Sequence, residues 1–205
     1  MTQVKANDKE QVRRQKILQA AVRIFKREGL PKASMRSIAL EAGCTTGAIY
    51  PIFAGKEDIY ASLLEDSLKR LHSRVAEASA SEAEAFLALF KAANAFFDYY
   101  AATRFELDLG LYLFGEEKAK SLGRDRDTVL NASLFKSLDI FTACFRRLAP
   151  PEKPENWPVN ERDALFSVLL GALMLSHTGR ATSIGTQAKT ILLTYLRGIE
   201  ERVMK

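Results

Sequence analysis

Residues 33–56 read ASMRSIALEAGCTTGAIYPIFAGK, and the order of caps, apolar pairs and small residues in them predicts two short helices around a tight turn. Ser34 precedes the first helix, because a serine hydroxyl accepts a hydrogen bond from one of the amides that a helix start leaves without a partner. Met35 begins that helix, Ile38 and Ala39 face inward, and Ala42-Gly43 close it, since Gly adopts the left-handed conformation that a sharp turn demands. Thr45 is the next cap. The second helix runs from Thr46 to about Ile52, with Gly47 and Ala48 on a face that lets the backbone approach another surface closely. Ile49 and Phe53 anchor its opposite side. Two helices joined by a Gly-containing turn form the helix-turn-helix unit, whose second helix fits the major groove of DNA.

The charge distribution points to the same end of the chain. Residues 1–56 carry 11 Lys/Arg against 4 Asp/Glu, whereas residues 57–205 carry 19 against 21. A polyanion attracts such a basic surface, and neutralising its phosphates releases counterions. An ordinary solvated basic face gives the same count, so charge alone does not decide. Cys44 and Cys144 lie far apart without CxxC spacing, so neither a disulfide framework nor a zinc site is expected, and a reducing cytoplasm fits. The opening MTQVKANDKEQ is polar and lacks the apolar core of a secretion signal, and a mobile arm is expected there. Val168 to Leu175 is the most apolar run and is too short to cross a bilayer.

Away from the basic end, helical periodicity repeats without a competing strand pattern, so the fold class is all-α, with about nine helices. Ile17, Ala21, Ile24 and Phe25 mark a first helix that Gly29 ends and Pro31 keeps from continuing. Lys56 starts a long helix with its stripe at Ile59, Leu63, Leu64, Leu68, Leu71 and Val75, interrupted at Ser79-Ala80-Ser81. Phe86 to Tyr100 resume the pattern, another helix follows Thr103, and Leu134, Leu138, Phe141, Phe145 and Leu148 mark the next up to Pro150-Pro151. A proline-rich loop from about Ala149 to Asn160 contains Trp157. Two final helices are expected over about Glu161 to Arg180 and Ile184 to Val203.

Those last helices are apolar on more than one side. Leu165, Leu169 and Leu173 form one stripe and Phe166, Leu170, Met174 and His177 a second, while Ile191, Tyr195 and Ile199 repeat the excess in the final helix. A helix apolar all round is either centrally buried or part of an interface. Burial within one chain satisfies the pattern, and so does a two-fold pairing into an intermolecular four-helix bundle, with Phe166, Leu170, Met174, Ile191, Tyr195 and Ile199 at the dimer interface.

The combination A-G-x-[ST]-x-G-x-[IL]-Y-x-x-F-x-x-K-E, met here from Ala42 to Glu57 behind a preceding helix, resembles the TetR family of bacterial transcriptional regulators. The likeness covers roughly Arg13 to Leu64; beyond it, only helix count and length agree. The resemblance implies an N-terminal DNA-binding domain over residues 1–55 and a helical effector-binding and dimerisation domain over 56–205. It implies that Ser34 and Arg36 touch phosphates or base edges, that Thr45, Thr46, Gly47 and Ala48 face the groove, and that Tyr50 and Lys56 contact phosphates. Pro51 stands where the family often has Tyr, His or Arg, which removes a contact and a helical amide and can end the recognition helix early. The body would hold a pocket walled by Phe96, Tyr100, Phe105, Tyr112, Phe135, Phe141 and His177, suited to a small hydrophobic or aromatic effector, although aromatic residues at helical spacing also make plain core.

The expected function is thus a homodimeric repressor that binds a near-palindromic double-stranded operator and is released by a small molecule. A regulator whose body serves only dimerisation is the alternative. An all-helical enzyme is the remote one, with two His and no HExxH, P-loop or GxSxG motif to support it. No cofactor, catalytic residue, metal site or membrane association is expected.

Overall fold

The computed structural model describes residues 2–111, 122 and 124–203, which form ten helices and no strand among the described residues. Helix α1 spans Thr2–Lys32 and is broken at Gly29, whose backbone (φ 76°, ψ 159°) leaves the helical region two residues before Pro31. Helicity from Thr2 replaces the arm expected at the start of the chain. α2 (Met35–Ala42) and α3 (Thr46–Ile49) follow. Ile17, Ala20, Ala21 and Ile24 of α1, Ile38 and Ala39 of α2, Ile49 of α3 and Phe53 beyond it are all buried and make the small core beneath the turn.

α4 (Lys56–Ala80), α5 (Ala85–Ala102) and α7 (Arg124–Leu148) pack on one another, and α6 (Arg104–Leu111) lies against α4 and α5. α8 (Trp157–His177) packs on α5, α7 and α10 (Ala188–Val203), with the one-turn α9 (Arg180–Ser183) between them. α5 is buried at Phe86, Leu89, Ala93, Phe96, Phe97 and Tyr100, the behaviour of a helix at the centre of a bundle. Its start is capped by Glu84, whose carboxylate accepts from the Phe86 and Leu87 amides at 2.7 Å each. Phe96 is the hub. Its ring lies 5.2 Å from Tyr100, 6.0 Å from Phe141 and 6.1 Å from Phe166, the last nearly edge-on.

Expected boundaries of the last helices move as well, and α8 ends at His177, short of Arg180. Trp157 opens α8 instead of sitting in the preceding loop: Pro158 occupies the first turn, where its missing N–H has no intrahelical partner to lose, and the indole packs edge-on against Phe145 at 5.9 Å. The stretch expected as one helix from Ile184 to Val203 starts only at Ala188, and the separate turn α9 raises the count from about nine to ten among the described residues. No helix of the described residues is long and apolar enough to cross a membrane.

Candidate nucleic-acid interface and effector cavity

Local hydrogen bonds fix the geometry of the turn. Ser34 is extended, its Oγ accepts from the Ser37 amide at 3.0 Å, and Ser37 Oγ accepts from the Ser34 amide at 3.1 Å. This reciprocal cap satisfies two helix-start donors at once. At the other end of α2, Gly43 takes φ 66° and ψ 38°, so that its own N–H reaches Leu40 O at 3.1 Å and the Cys44 N–H reaches Ala39 O at 3.0 Å. These paired bonds form a Schellman closure, which requires the left-handed residue that Gly supplies. Thr45 then caps α3 with its backbone alone, leaving its hydroxyl exposed.

α3 is short. The Tyr50 amide still bonds Thr46 O at 3.3 Å, but Pro51 has no N–H to offer Gly47 O, and Ile52 and Phe53 both turn back to Ile49 O at 2.8 and 3.0 Å. Pro51 therefore ends the regular helix at Ile49. Ile49 and Phe53 hold this turn to the core from below. Above it, Arg36, Thr45, Gly47 and Tyr50 are exposed and Thr46 and Ala48 half-buried, with Ser34 exposed at the start of α2. Tyr50 is 56% exposed, its phenol directed away from the core that its neighbour Ile49 fills.

Lys56 departs from the expected phosphate contact. Its Nζ donates to Leu30 O, Pro31 O and Ala33 O at 3.1, 3.1 and 3.0 Å, so all three ammonium donors brace the end of α1 against the start of α4. In this conformation none is left for a phosphate. Two carboxylates follow in the same turn, and Asp58 is engaged twice: Oδ2 accepts from the Ala54 amide at 3.1 Å and Oδ1 from Arg126 Nε at 3.1 Å. On α2, Glu41 accepts from Arg23 at 2.6 Å and Arg27 at 3.4 Å, and these guanidiniums hold its carboxyl below the usual range.

Within the body, a cavity of about 310 Å³ opens between α4, α5, α6, α7 and α8. Leu64, Leu68, Leu107, Leu111, Leu130, Leu134 and Leu170 supply most of its wall, with the rings of Phe96, Tyr100 and Phe166 beside them and Asp127 and Asn131 as its polar groups. Burial pushes the Tyr100 phenol well above its ordinary range, which keeps a neutral hydroxyl beside the cavity. Of the seven expected wall residues, Phe96 and Tyr100 are brought together here. Phe141 is fully buried behind Phe96. Phe135 is 47% exposed beneath the Arg162 guanidinium, and Phe105 carries the Lys26 ammonium 5.1 Å from its ring on the side facing α1. His177 lies outside the cavity, its Nε2 3.0 Å from Asp108 Oδ1. Tyr112 lies outside the described residues.

The expected interface set also divides. Phe166 and Leu170 line the cavity and stay half-buried, while Ile199 is fully buried in the core of its own chain, which removes it from the expected interface. Met174 is 43% exposed, and Ile191 and Tyr195 are half-buried. Around Met174, α8 exposes Ala164, Ser167 and Gly171, and a Cβ added at Gly171 or at Gly198 of α10 would meet no atom within 4 Å.

The profile of bacterial regulatory proteins of the tetR family matches residues 17–63, the stretch that holds the core of α1, the turn and the start of α4. Residues 17–63 carry the tetR-family signature. Among its relatives, the HTH-type transcriptional regulator TtgR of Pseudomonas putida is 39% identical over 80 residues, covering 39% of this chain and 38% of TtgR. The HTH-type nicotine-responsive transcriptional repressor HdnoR of Paenarthrobacter nicotinovorans is 34% identical over 59 residues, covering 29% of this chain and 30% of its own. The chain thus spans well under half the length of these curated relatives. The fold extends further: the transcriptional regulator FadR of Bacillus subtilis, solved in complex with stearoyl-CoA, superposes with a TM-score of 0.67 at 19% identity over 90% of this chain and 96% of that one.

The leucines that wall the cavity are the functional residues not legible in the sequence. Leu64, Leu68, Leu130 and Leu134 stand at stripe positions but carry no mark separating a cavity wall from core. Only the distance left between helices distinguishes the two.

Proposed function

We propose that this TetR-family chain is a DNA-binding transcriptional regulator that acts as a homodimer and releases its operator when a small, largely apolar molecule enters the cavity. The observation that carries the reading is the rim of Arg36, Thr45, Thr46, Gly47, Ala48 and Tyr50. It is solvent-facing, small or polar, and held rigid by the reciprocal Ser34–Ser37 cap and the Gly43 closure beneath it. Gly47 and Ala48 allow close approach to base edges, the Thr46 hydroxyl can read them by hydrogen bonding, and the Ala48 methyl suits a thymine methyl. Arg36 and Tyr50 supply phosphate contacts on either side.

The reading divides the chain into a head over residues 1–55 and a body over 56–205, coupled by α4 and α6. α4 is braced to α1 by Lys56 at one end and walls the cavity with Leu64 and Leu68 further on. α6 walls it with Leu107 and Leu111 while the Tyr60 hydroxyl of α4 donates to Leu109 O. A ligand that prefers a conformation with wrongly spaced heads lowers DNA affinity by the same factor by which DNA lowers its own, typically 5–150-fold for about 1–3 kcal/mol. A nicotine-responsive relative and a fold neighbour holding stearoyl-CoA support a ligand-responsive body. The exposed small-residue face of α8 around Gly171 supports pairing of two copies.

A gel-shift titration against the DNA upstream of the protein's own gene tests the reading. Retarded bands are expected for the wild type, with affinity reduced at least tenfold in Arg36→Ala/Tyr50→Ala, a loss of about 1.4 kcal/mol or more. Equal affinity in the double variant removes the rim from the interface.

A further inference from the structure

We propose that the outward face of α1 from Lys9 to Lys16 is a phosphate-binding ridge that grips duplex DNA beside the helix-turn-helix. The proposal rests on the DNA-binding reading above. Lys9, Arg13 and Lys16 recur at i, i+4 and i+7, so they share one side of the helix, and all three are exposed. With Ala42, Gly43 and Cys44 they border a groove of about 460 Å³, which places the ridge against the turn that launches α3.

Four other cations of α1 are engaged within the chain. Arg14 donates to Ser62 Oγ at 3.1 Å and lies 5.1 Å from the Phe53 ring centre, Arg23 and Arg27 are paired with Glu41, and Lys26 covers Phe105. Lys9, Arg13 and Lys16 make no hydrogen bond or ion pair among the described residues. Asp8 borders the groove and Glu10 lies beside Lys9, so three cations face one carboxylate in the groove and a second near it. Like charges four apart on a helix cost a few tenths of a kcal/mol, a cost that no ion pair among the described residues offsets. A polyanion running past the turn reverses the sign of that cost, and each neutralised phosphate adds counterion release. The recognition rim fixes which polyanion this is. A duplex seated on Thr45 to Tyr50 continues past Gly43, and its flanking phosphates meet the ridge.

The test compares the salt dependence of binding to a random-sequence duplex of about 30 base pairs, followed by fluorescence anisotropy from about 50 to 200 mM salt. Lys9→Gln/Arg13→Gln/Lys16→Gln is expected to flatten the slope of log affinity against log salt by about 2–3 per bound protomer. Lys9→Arg/Arg13→Lys/Lys16→Arg is expected to retain the wild-type slope. A triple variant of the body, Lys136→Gln/Lys153→Gln/Arg180→Gln, removes the same charge from exposed positions and is expected to leave the slope unchanged. Circular dichroism checks that α1 stays helical in each. An unchanged slope in the ridge variant, or an equal fall in the body variant, overturns the ridge and leaves the DNA-binding reading standing. So does loss of binding to anionic vesicles by the ridge variant while its duplex slope is kept. A wild type that binds no duplex overturns both.

Discussion

Lys56 stands at its motif position with its ammonium turned onto three carbonyls of its own chain. Its three carbonyl bonds reach residues 23 to 26 positions earlier, so the arrangement depends on where Gly29 and Pro31 leave the end of α1. Lys56→Met is expected to lower stability by about 1–3 kcal/mol, since hydrogen bonds to a charged donor are worth more than neutral ones and the freed carbonyls lose their partner. Urea unfolding measures this, and a variant as stable as the wild type shows the brace to be dispensable. At Gly43 the cost is conformational alone, because an added Cβ would meet no atom within 4 Å. Gly43→Ala is expected to cost about 1–2 kcal/mol and Gly43→Asn less, as Asn tolerates the left-handed region. Equal melting temperatures for the wild type and Gly43→Ala would remove strain at this turn from the account. Ser34 and Gly43 were legible in the sequence because a cap and a left-handed turn are local chemistry. The inward turn of Lys56 was not, because its acceptors come from another element.

At the scale of the element, the boundaries that moved are those set by neighbours. α3 stops at Ile49 because Pro51 removes a donor, which the chain states directly. Trp157 begins α8 because Phe145 offers its indole a packing partner, which the proline-rich stretch around it conceals. α10 also carries a titratable contact between elements: Tyr195 OH donates to Glu161 Oε2 of α8 at 3.3 Å, and burial, then the nearby Glu161 charge, push the phenol up to about 12. The folded chain holds this proton more tightly than the unfolded chain, whose phenol titrates near 10. The resulting stability is complete below about pH 10 and is lost as pH rises towards 12. Tyr195→Phe is therefore expected to flatten the fall in stability over that alkaline window, with a residual slope from Tyr100, whose phenol burial also raises. An identical alkaline slope in thermal melts of the two proteins would count against this assignment.

For the whole molecule, the excess apolar surface of α8 has two destinations. Phe166 and Leu170 turn towards the cavity, while Gly171 and Met174 face outward, and the proposed dimer rests on that outward face. Gly171→Arg places a long charged side chain there without a clash in its own chain, and Arg is the better helix former. Sedimentation is expected to show monomers with an unaltered helical signal. A dimer that persists in Gly171→Arg places the pairing surface elsewhere.

By itself, the sequence determined the all-α class, the two caps and tight turn of the head, and the basic bias of residues 1–56, because periodicity, capping and charge act over a few residues. Tertiary structure alone decided that leucines rather than aromatics wall most of the cavity, that Ile199 belongs to the core, and that Lys56 is turned inward while Lys9, Arg13 and Lys16 have no ion pair among the described residues. A stripe position becomes core, wall or interface according to how far away the next helix lies, and that distance is a property of the whole packing.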